Sequence, residues 1–226
     1  MMIPESNGKV VVTVDGRAFC RKKEFAQALA DRLRYIWLDY ETVLSVFAVQ
    51  KLWLMRENGD ESVTNMGVLN TFNLEYEFAA GGMPKFKAWG REVNSWLNAI
   101  EVVGMAKQCG KDETVKSALE EFIRRQAFVT DIVVTGHDVG RRVFPDANVK
   151  LFVDCSLEER AKRFQAELAS EGKNIDSETL TGDIIYMDNE ACIDPAEDAI
   201  IMQNTATPTE ELMPIAVGVV KSRLGS

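Results

Sequence analysis

The chain has 226 residues, 46% of them hydrophobic, enough to bury a full core as one large domain or as a core with an inserted subdomain, and this excludes a disordered protein. A formal net charge of −9 excludes non-specific binding to nucleic acid or to an anionic membrane surface, since those partners need a positive field. The single histidine, His137, and the scattered Cys20, Cys109, Cys155 and Cys192 give no zinc-site spacing and suit a reducing compartment, with the cysteines expected to be core or incidental.

In chain order, the first residues carry no basic and apolar leader and no apolar run reaches spanning length, so the expectation is a soluble, cytoplasmic protein without a membrane span. An organelle matrix would fit if the chain is a processed form. Lys9 to Val14 reads as a short buried strand, and Lys22 to Leu33 as a helix with Phe25, Leu29 and Leu33 on one face. A second strand at Tyr35 to Leu38 precedes a helix over Thr42 to Met55. From Glu57 to Asn98 Asn, Gly, Thr and aromatic residues increase, with a turn at Ala79-Ala80-Gly81-Gly82 and an alternating Lys85 to Trp89, which predicts an inserted antiparallel element. Trp89 and Trp96 are expected to pack within it.

Thr114 to Gln126 reads as a helix, Asp131 to Thr135 and Val149 to Val153 as buried strands, and Leu157 to Leu168 as a charged amphipathic helix. Ala169 to Ile193 is acidic and loop-like, the pattern of a mobile flap. Ala199 to Met202 is the last strand, and Thr207-Pro208-Thr209-Glu210 opens a terminal helix that Pro214 should kink. Strands alternating with helices predict an α/β fold with a mainly parallel sheet.

The first strand–helix connection has the layout of a phosphate-binding loop. In G-x-x-x-x-G-K-[ST], the second glycine lets backbone N–H groups close round phosphate, while the lysine and hydroxyl serve phosphate and Mg²⁺. Gly16 and Lys22 fit that spacing, but Arg21 replaces the glycine and Lys23 the hydroxyl. A β-carbon at Arg21 disfavours the conformations that glycine adopts freely, and an ammonium at Lys23 repels a cation. Gly16, Arg21, Lys22 and Lys23 are the candidate residual phosphate site, set against a plain solvated basic turn. Asp15 and Asp39, at strand ends, are expected to cap the helices that follow rather than to hold metal.

Gly136-His137-Asp138-Val139-Gly140, continuing through Val143-Phe144-Pro145-Asp146-Ala147 to Glu158-Glu159-Arg160-Ala161, resembles the G-R-D-M-G-T-V-V-F-P-D-A segment of the cytidylate kinase family and the strand and helix after it. Further similarity lies in Thr13-Val14-Asp15-Gly16, Trp37-Leu38-Asp39, Glu101-Val102, Val115 to Gln126 and Pro195-Ala196-Glu197-Asp198-Ala199. The resemblance covers most of the chain in the right order. It implies a P-loop nucleoside-monophosphate kinase fold of three α/β/α layers, with a parallel five-stranded core, an inserted subdomain of the NMP-binding type at 57–107 and a lid-like segment at 164–193, all in one domain spanning 1–226. The activity it implies is transfer of the ATP γ-phosphoryl group to CMP or dCMP.

Several positions depart from that family. Asp39-Tyr40-Glu41-Thr42-Val43-Leu44-Ser45 stands for D-S-G-x-x-Y-R, placing Ser45 where an arginine would hold the acceptor phosphate. Leu97-Asn98-Ala99-Ile100-Glu101-Val102 stands for I-R-T-x-E-V and lacks its arginine. Lys107 falls near the base-reading serine, and Lys116 replaces an arginine of V-R-E-A-L without its bidentate fork. In G-R-D, His137 replaces the arginine, as base contact, proton carrier or scaffold residue, and Asp138 is kept as a base reader. Of the lid arginines only Arg160 and Arg163 match, and the R-D-x-R-D-x-x-R cluster gives way to Ile184-Ile185-Tyr186-Met187-Asp188-Asn189-Glu190.

Because the losses concentrate at phosphate-binding positions, the expectation is a protein that has lost phosphoryl transfer and serves as scaffold, assembly subunit or regulator. It would need no cofactor and no metal, and would have a protein partner or self-association and at most weak nucleotide binding. The alternative is an active nucleoside-monophosphate kinase with an altered site, using ATP and Mg²⁺, in which Lys22 and Asp138 do the work. A third reading is a nucleotide sensor without turnover.

Overall fold

A computed structural model describes residues 8–77, 84–170, 172–191, 194–205 and 209–225. The turn at Ala79 to Gly82, Cys192 and the Thr207-Pro208 part of the capping signal lie outside those residues. The chain divides into two compact units, Met1–Trp37 with Thr130–Ser226, and Leu38–Val129.

The core is a parallel five-stranded sheet with flanking helices. Strand β1 (Val11–Gly16) is buried along its whole length. Helix α1 (Lys22–Leu33) returns to β2 (Ile36–Asp39), and the sheet is completed by β6 (Ile132–Thr135), β7 (Val149–Asp154) and β8 (Ile200–Gln203) in the order β2-β6-β1-β7-β8. The β1–β6, β1–β7 and β7–β8 pairs run parallel, so these strands need apolar side chains on both faces and read as the continuous runs seen in the sequence. Since β6 and β7 flank β1, the strand order reverses there, and the loop leaving β1 opens into the crevice where ligands bind in such sheets. Val12, Val14, Leu151 and Val153 of the sheet meet Phe25 and Leu29 of α1 and Met213, Ala216 and Val220 of the C-terminal helix α8 (Thr209–Leu224). Pro214 lies inside that helix.

The second unit holds α2 (Tyr40–Asn58), α3 (Asn65–Thr71), a small sheet of β3 (Glu75–Glu77), β4 (Lys85–Ala88) and β5 (Arg91–Glu92), then α4 (Ile100–Cys109) and α5 (Glu113–Gln126). Both pairs in the small sheet are antiparallel, as the alternation predicted. Trp89 and Trp96 pack on Trp53 of α2, with ring centroids 6.1 and 6.3 Å away, so their partner lies outside the 57–107 insert within which they were expected to pack. Two helices here were not predicted. α3 is one short helix with Asn, Gly and Thr among its residues and Val68 buried, held by its cap, Thr64 Oγ1, which accepts from the Gly67 N–H. α4 carries Gly104 in its middle and is recovered by burial of Val102, Ala106 and Cys109 on one side.

The last correction falls in the first unit. α6 (Leu157–Ser170) is as expected, but α7 (Ser177–Ala191) is helical where the acidic composition suggested a loop. Asp176 accepts from the Thr179 N–H at 2.8 Å, and Leu180 and Ile184, four apart, are fully buried. α7 lies on α6.

Candidate functional site

The loop from Gly16 to Arg21 joins β1 to α1 with residues unusual for their backbone. Gly16 is fixed by packing: a β-carbon there would lie 2.4 Å from the Val153 carbonyl oxygen of the neighbouring strand. Beyond it, Phe19 and Arg21 both adopt left-handed backbone, at φ 63° and 57°. Arg21 therefore takes a conformation its β-carbon opposes, at a cost of roughly 1–2 kcal/mol, and its carbonyl accepts the first helical bond from Phe25. The side chain of Arg21 is exposed. Lys22 turns inward instead, is only 8% exposed, and its Nζ donates to the Gly16 carbonyl at 3.3 Å. Lys23 is half-buried in the first turn of α1.

Arginines from α6 hold this loop by its carbonyls. Arg160, 2% exposed, donates from Nε to Ala18 O at 2.8 Å, and Arg163 donates to Phe19 O at 3.3 Å and to Asn204 O at 2.7 Å. The Phe19 ring stacks on Phe164 at 4.2 Å. The other edge of Arg160 grips Asp188 of α7 with two bonds of 2.7 and 2.6 Å, the paired geometry that a guanidinium makes best. Arg17, in the loop itself, reaches the same carboxylate at 3.3 Å and Asp154 at 3.5 Å. Burial opposes the charge on Asp188, but the Arg160 bonds, its charge and Arg17 outweigh it and hold the carboxyl below its ordinary value. One carboxylate of the acidic segment thus draws two arginines that face the loop.

Asp15 does not cap α1, as expected of it. It accepts from the N–H groups of Val139 and Gly140 at 2.9 and 2.8 Å, so it fastens the Gly136–Gly140 stretch to the end of β1. Burial pushes its carboxyl up, against these two bonds and the Lys22 charge. A side chain at position 140 would strike Thr13 Oγ1 and Asp15 Oδ2 at 2.9 and 3.0 Å, which explains that glycine. Asp138, just before, is also left-handed, at φ 61°, and pairs with Arg141. His137 is exposed.

A model of the cytidylate kinase family matches residues 12–222. The chain belongs to that family. It is 31% identical to the cytidylate kinase of Pasteurella multocida (strain Pm70), over 96% of this chain and 98% of the relative, and 32% identical to that of Aliivibrio salmonicida (strain LFI1238), over 95% and 97%. An uncharacterized protein from Eubacterium ventriosum ATCC 27560 shares the fold, at a TM-score of 0.50 and 12% identity, covering 95% of this chain and 99% of its own.

Membership gives the altered positions their meaning. Arg21 stands where the phosphate-loop pattern has a glycine, and its backbone is left-handed. Arg160 and Arg163, expected from the resemblance as lid cations, sit on α6 and donate to the loop's carbonyls. Asp39, Lys107 and Lys116 belong to the second unit. Asp39 caps α2, accepting from the Thr42 N–H at 3.0 Å and its hydroxyl at 2.8 Å, as expected. Lys107 is exposed in the last turn of α4, and Lys116 pairs with Glu113 of its own helix at 2.5 Å.

Around the loop, Asp15 is engaged by two N–H groups, Asp154 by Arg17 and the Cys155 N–H, and Asp188 by two arginines, while Lys23 occupies the hydroxyl position. Among the described residues no cluster of three His, Cys, Asp or Glu is arranged to hold a metal. These side chains do not fit a Mg²⁺ ion held by the protein. Sequence reasoning missed Asp188 as a partner of the loop and missed the contact of Cys20 with Cys155, whose sulfurs lie 3.1 Å apart. Neither pair carries a local signal, since the partners are 28 or more residues apart.

No helix among the described residues is long and apolar enough to cross a membrane.

Proposed function

We propose that the protein is an ATP-dependent nucleoside-monophosphate kinase of CMP or dCMP type whose phosphate site has been rebuilt around arginine and lysine. The observation that carries this reading is Arg21, held left-handed directly before the buried Lys22. Strain of that kind persists where surrounding structure imposes it, and it clusters at sites that use the geometry. A loop that had become a solvated turn would have no reason to keep it. The names of the relatives, cytidylate kinases at about 30% identity over nearly the whole chain, support the same reaction.

In this reading the acceptor phosphate oxygen attacks the γ-phosphorus of ATP and ADP leaves, a reaction whose catalysis is mostly positioning and charge neutralisation. Lys22 exchanges its bond to Gly16 O for a phosphate oxygen. Arg17 and Arg160 meet the transferring group once Asp188 lets them go. Arg21, exposed at the end of α1, adds a cation beside the helix N-terminus. Mg²⁺ would arrive with ATP, held by phosphate oxygens and water. Asp138 remains the candidate reader of the acceptor base.

The second reading is loss of transfer, with the fold kept as a scaffold or regulator that binds a protein partner or a second copy. It is favoured by Lys23 in the hydroxyl's place and by Asp188 on the two arginines. A coupled ADP-release assay with CMP and dCMP, with and without Mg²⁺, decides between them, run beside thermal-shift titration with ATP. Turnover abolished by Lys22→Ala establishes the kinase. Stabilisation by ATP without ADP release indicates a sensor, and neither effect indicates a scaffold.

A further inference from the structure

Two thiols 135 residues apart in sequence meet beneath the phosphate loop. Cys20 lies between the left-handed residues Phe19 and Arg21 and is fully buried, and Cys155 follows β7 and is 5% exposed. Their sulfurs share a hydrogen bond at 3.1 Å. Both main chains are anchored: Cys20 O accepts from Asn204 Nδ2 at 2.9 Å, and the Cys155 N–H donates to Asp154 Oδ1 at 2.9 Å. Arg163 brings its guanidinium within 3.7 Å of the Cys155 sulfur.

We propose that Cys20 and Cys155 form a peroxide-oxidised thiol pair whose disulfide ties the phosphate loop to the end of β7. The two residues have unequal roles. The Cys20 thiol, Arg163 and Arg160 favour the thiolate of Cys155 against its burial and lower its pKa, whereas the shared hydrogen bond and burial push Cys20 up. A thiolate with a second thiol in contact is the arrangement that oxidises first and is then resolved. Hydrogen peroxide is small enough to reach a sulfur that is nearly enclosed.

In the first step the Cys155 thiolate attacks one peroxide oxygen. An S–O bond forms, the O–O bond breaks, and the departing hydroxide takes a proton to become water. In the second step Cys20 loses its proton and its sulfur attacks the sulfenic sulfur of Cys155. The S–S bond forms, the S–O bond breaks, and hydroxide leaves with that proton as a second water. Two thiols are oxidised and one peroxide is reduced to two waters. The sulfurs need to close to about 2.05 Å, a shift of roughly 1 Å at the residue between two left-handed positions. Lys22, two residues on, moves with it. The pair stands whether or not the loop turns over nucleotide.

The test uses the full reduced chain, treated with equimolar hydrogen peroxide, quenched with catalase, then unfolded, alkylated and mapped by mass spectrometry. The expected product is about 2 Da lighter before alkylation, has a Cys20–Cys155 linked peptide, melts at a higher temperature and reverts with dithiothreitol. In Cys20→Ser, Cys155 should be captured by dimedone as a sulfenic acid. In Cys155→Ser, Cys20 should remain a thiol. Alkylation of both cysteines after peroxide, a link to Cys109 or Cys192, or oxygen added to Cys155 of the unsubstituted chain without the link overturns the proposal. Should either variant fail to fold, the peptide map of the unsubstituted chain decides alone.

Discussion

The loop after β1 and the second unit hold their charged residues in different ways. Around the loop the cations are knitted into main chain: Arg160 and Arg163 hold carbonyls 18 and 19, Lys22 holds carbonyl 16, and Arg21 takes left-handed backbone before the helix. In the second unit charged side chains pair with one another instead. Lys116 pairs with Glu113 one turn away, Glu101 with the exposed Arg56, and Asn98 is exposed. A residue buried against carbonyls cannot drift without leaving polar groups unpaired, whereas an exposed one can. The loop is therefore tied to buried main chain, whereas the second unit's charged residues are held by side chains of their own unit.

The sharpest test of that contrast is Lys22→Ala. It should reduce ADP release by roughly 10²–10³-fold and remove the thermal shift produced by ATP, while Lys116→Ala should leave the melting temperature unchanged and alter only the response to the acceptor. Equal losses from both would break the comparison.

Next comes Arg160→Ala, which strands Asp188 and the Ala18 carbonyl. It should destabilise the fold by about 3 kcal/mol in urea titration. Arg160→Lys should recover only part of that, since an ammonium cannot make the fork.

Asp188→Asn should act in the opposite sense on the site. With Arg17 and Arg160 released, ATP should bind several-fold more tightly, read by thermal shift. Stability against pH gives an independent check. Because Asp188 is held below its ordinary value, its pairing stabilises the fold above the unfolded carboxyl value of about 3.9 and is lost as pH falls through the lower folded value. The acid limb of melting temperature against pH should therefore flatten in Asp188→Asn.

The smallest effect is Arg21→Gly. Relief of left-handed strain should raise stability by about 1 kcal/mol, visible as a higher urea midpoint, while the loss of one cation weakens ATP binding.

Much of the fold was legible in the sequence because it rests on local signals. Buried parallel strands gave apolar runs at β1, β6 and β7, and the four-residue spacing of Phe25, Leu29 and Leu33 marked α1 at its observed ends. Asp39 as the cap of α2 was likewise local, three residues from its donor. α7 was not legible, because its acidic composition masks the Leu180 and Ile184 pair that buries it.

Residue types by themselves determined the alternation of strands and helices with a mainly parallel sheet, and placed Arg21 and Lys23 where the phosphate-loop pattern has a glycine and a hydroxyl. Tertiary structure alone decided that Arg21 stays left-handed, that Asp15 fastens residues 139 and 140, and that Asp188 sits on Arg17 and Arg160. It also brought Cys20 to Cys155. Each of these depends on parts of the chain 28 or more residues apart, or on a backbone held by its surroundings against its own preference. Periodicity and spacing record what neighbours along the chain do to one another. Which distant carboxylate or thiol meets which cation is set by how strands and helices stack.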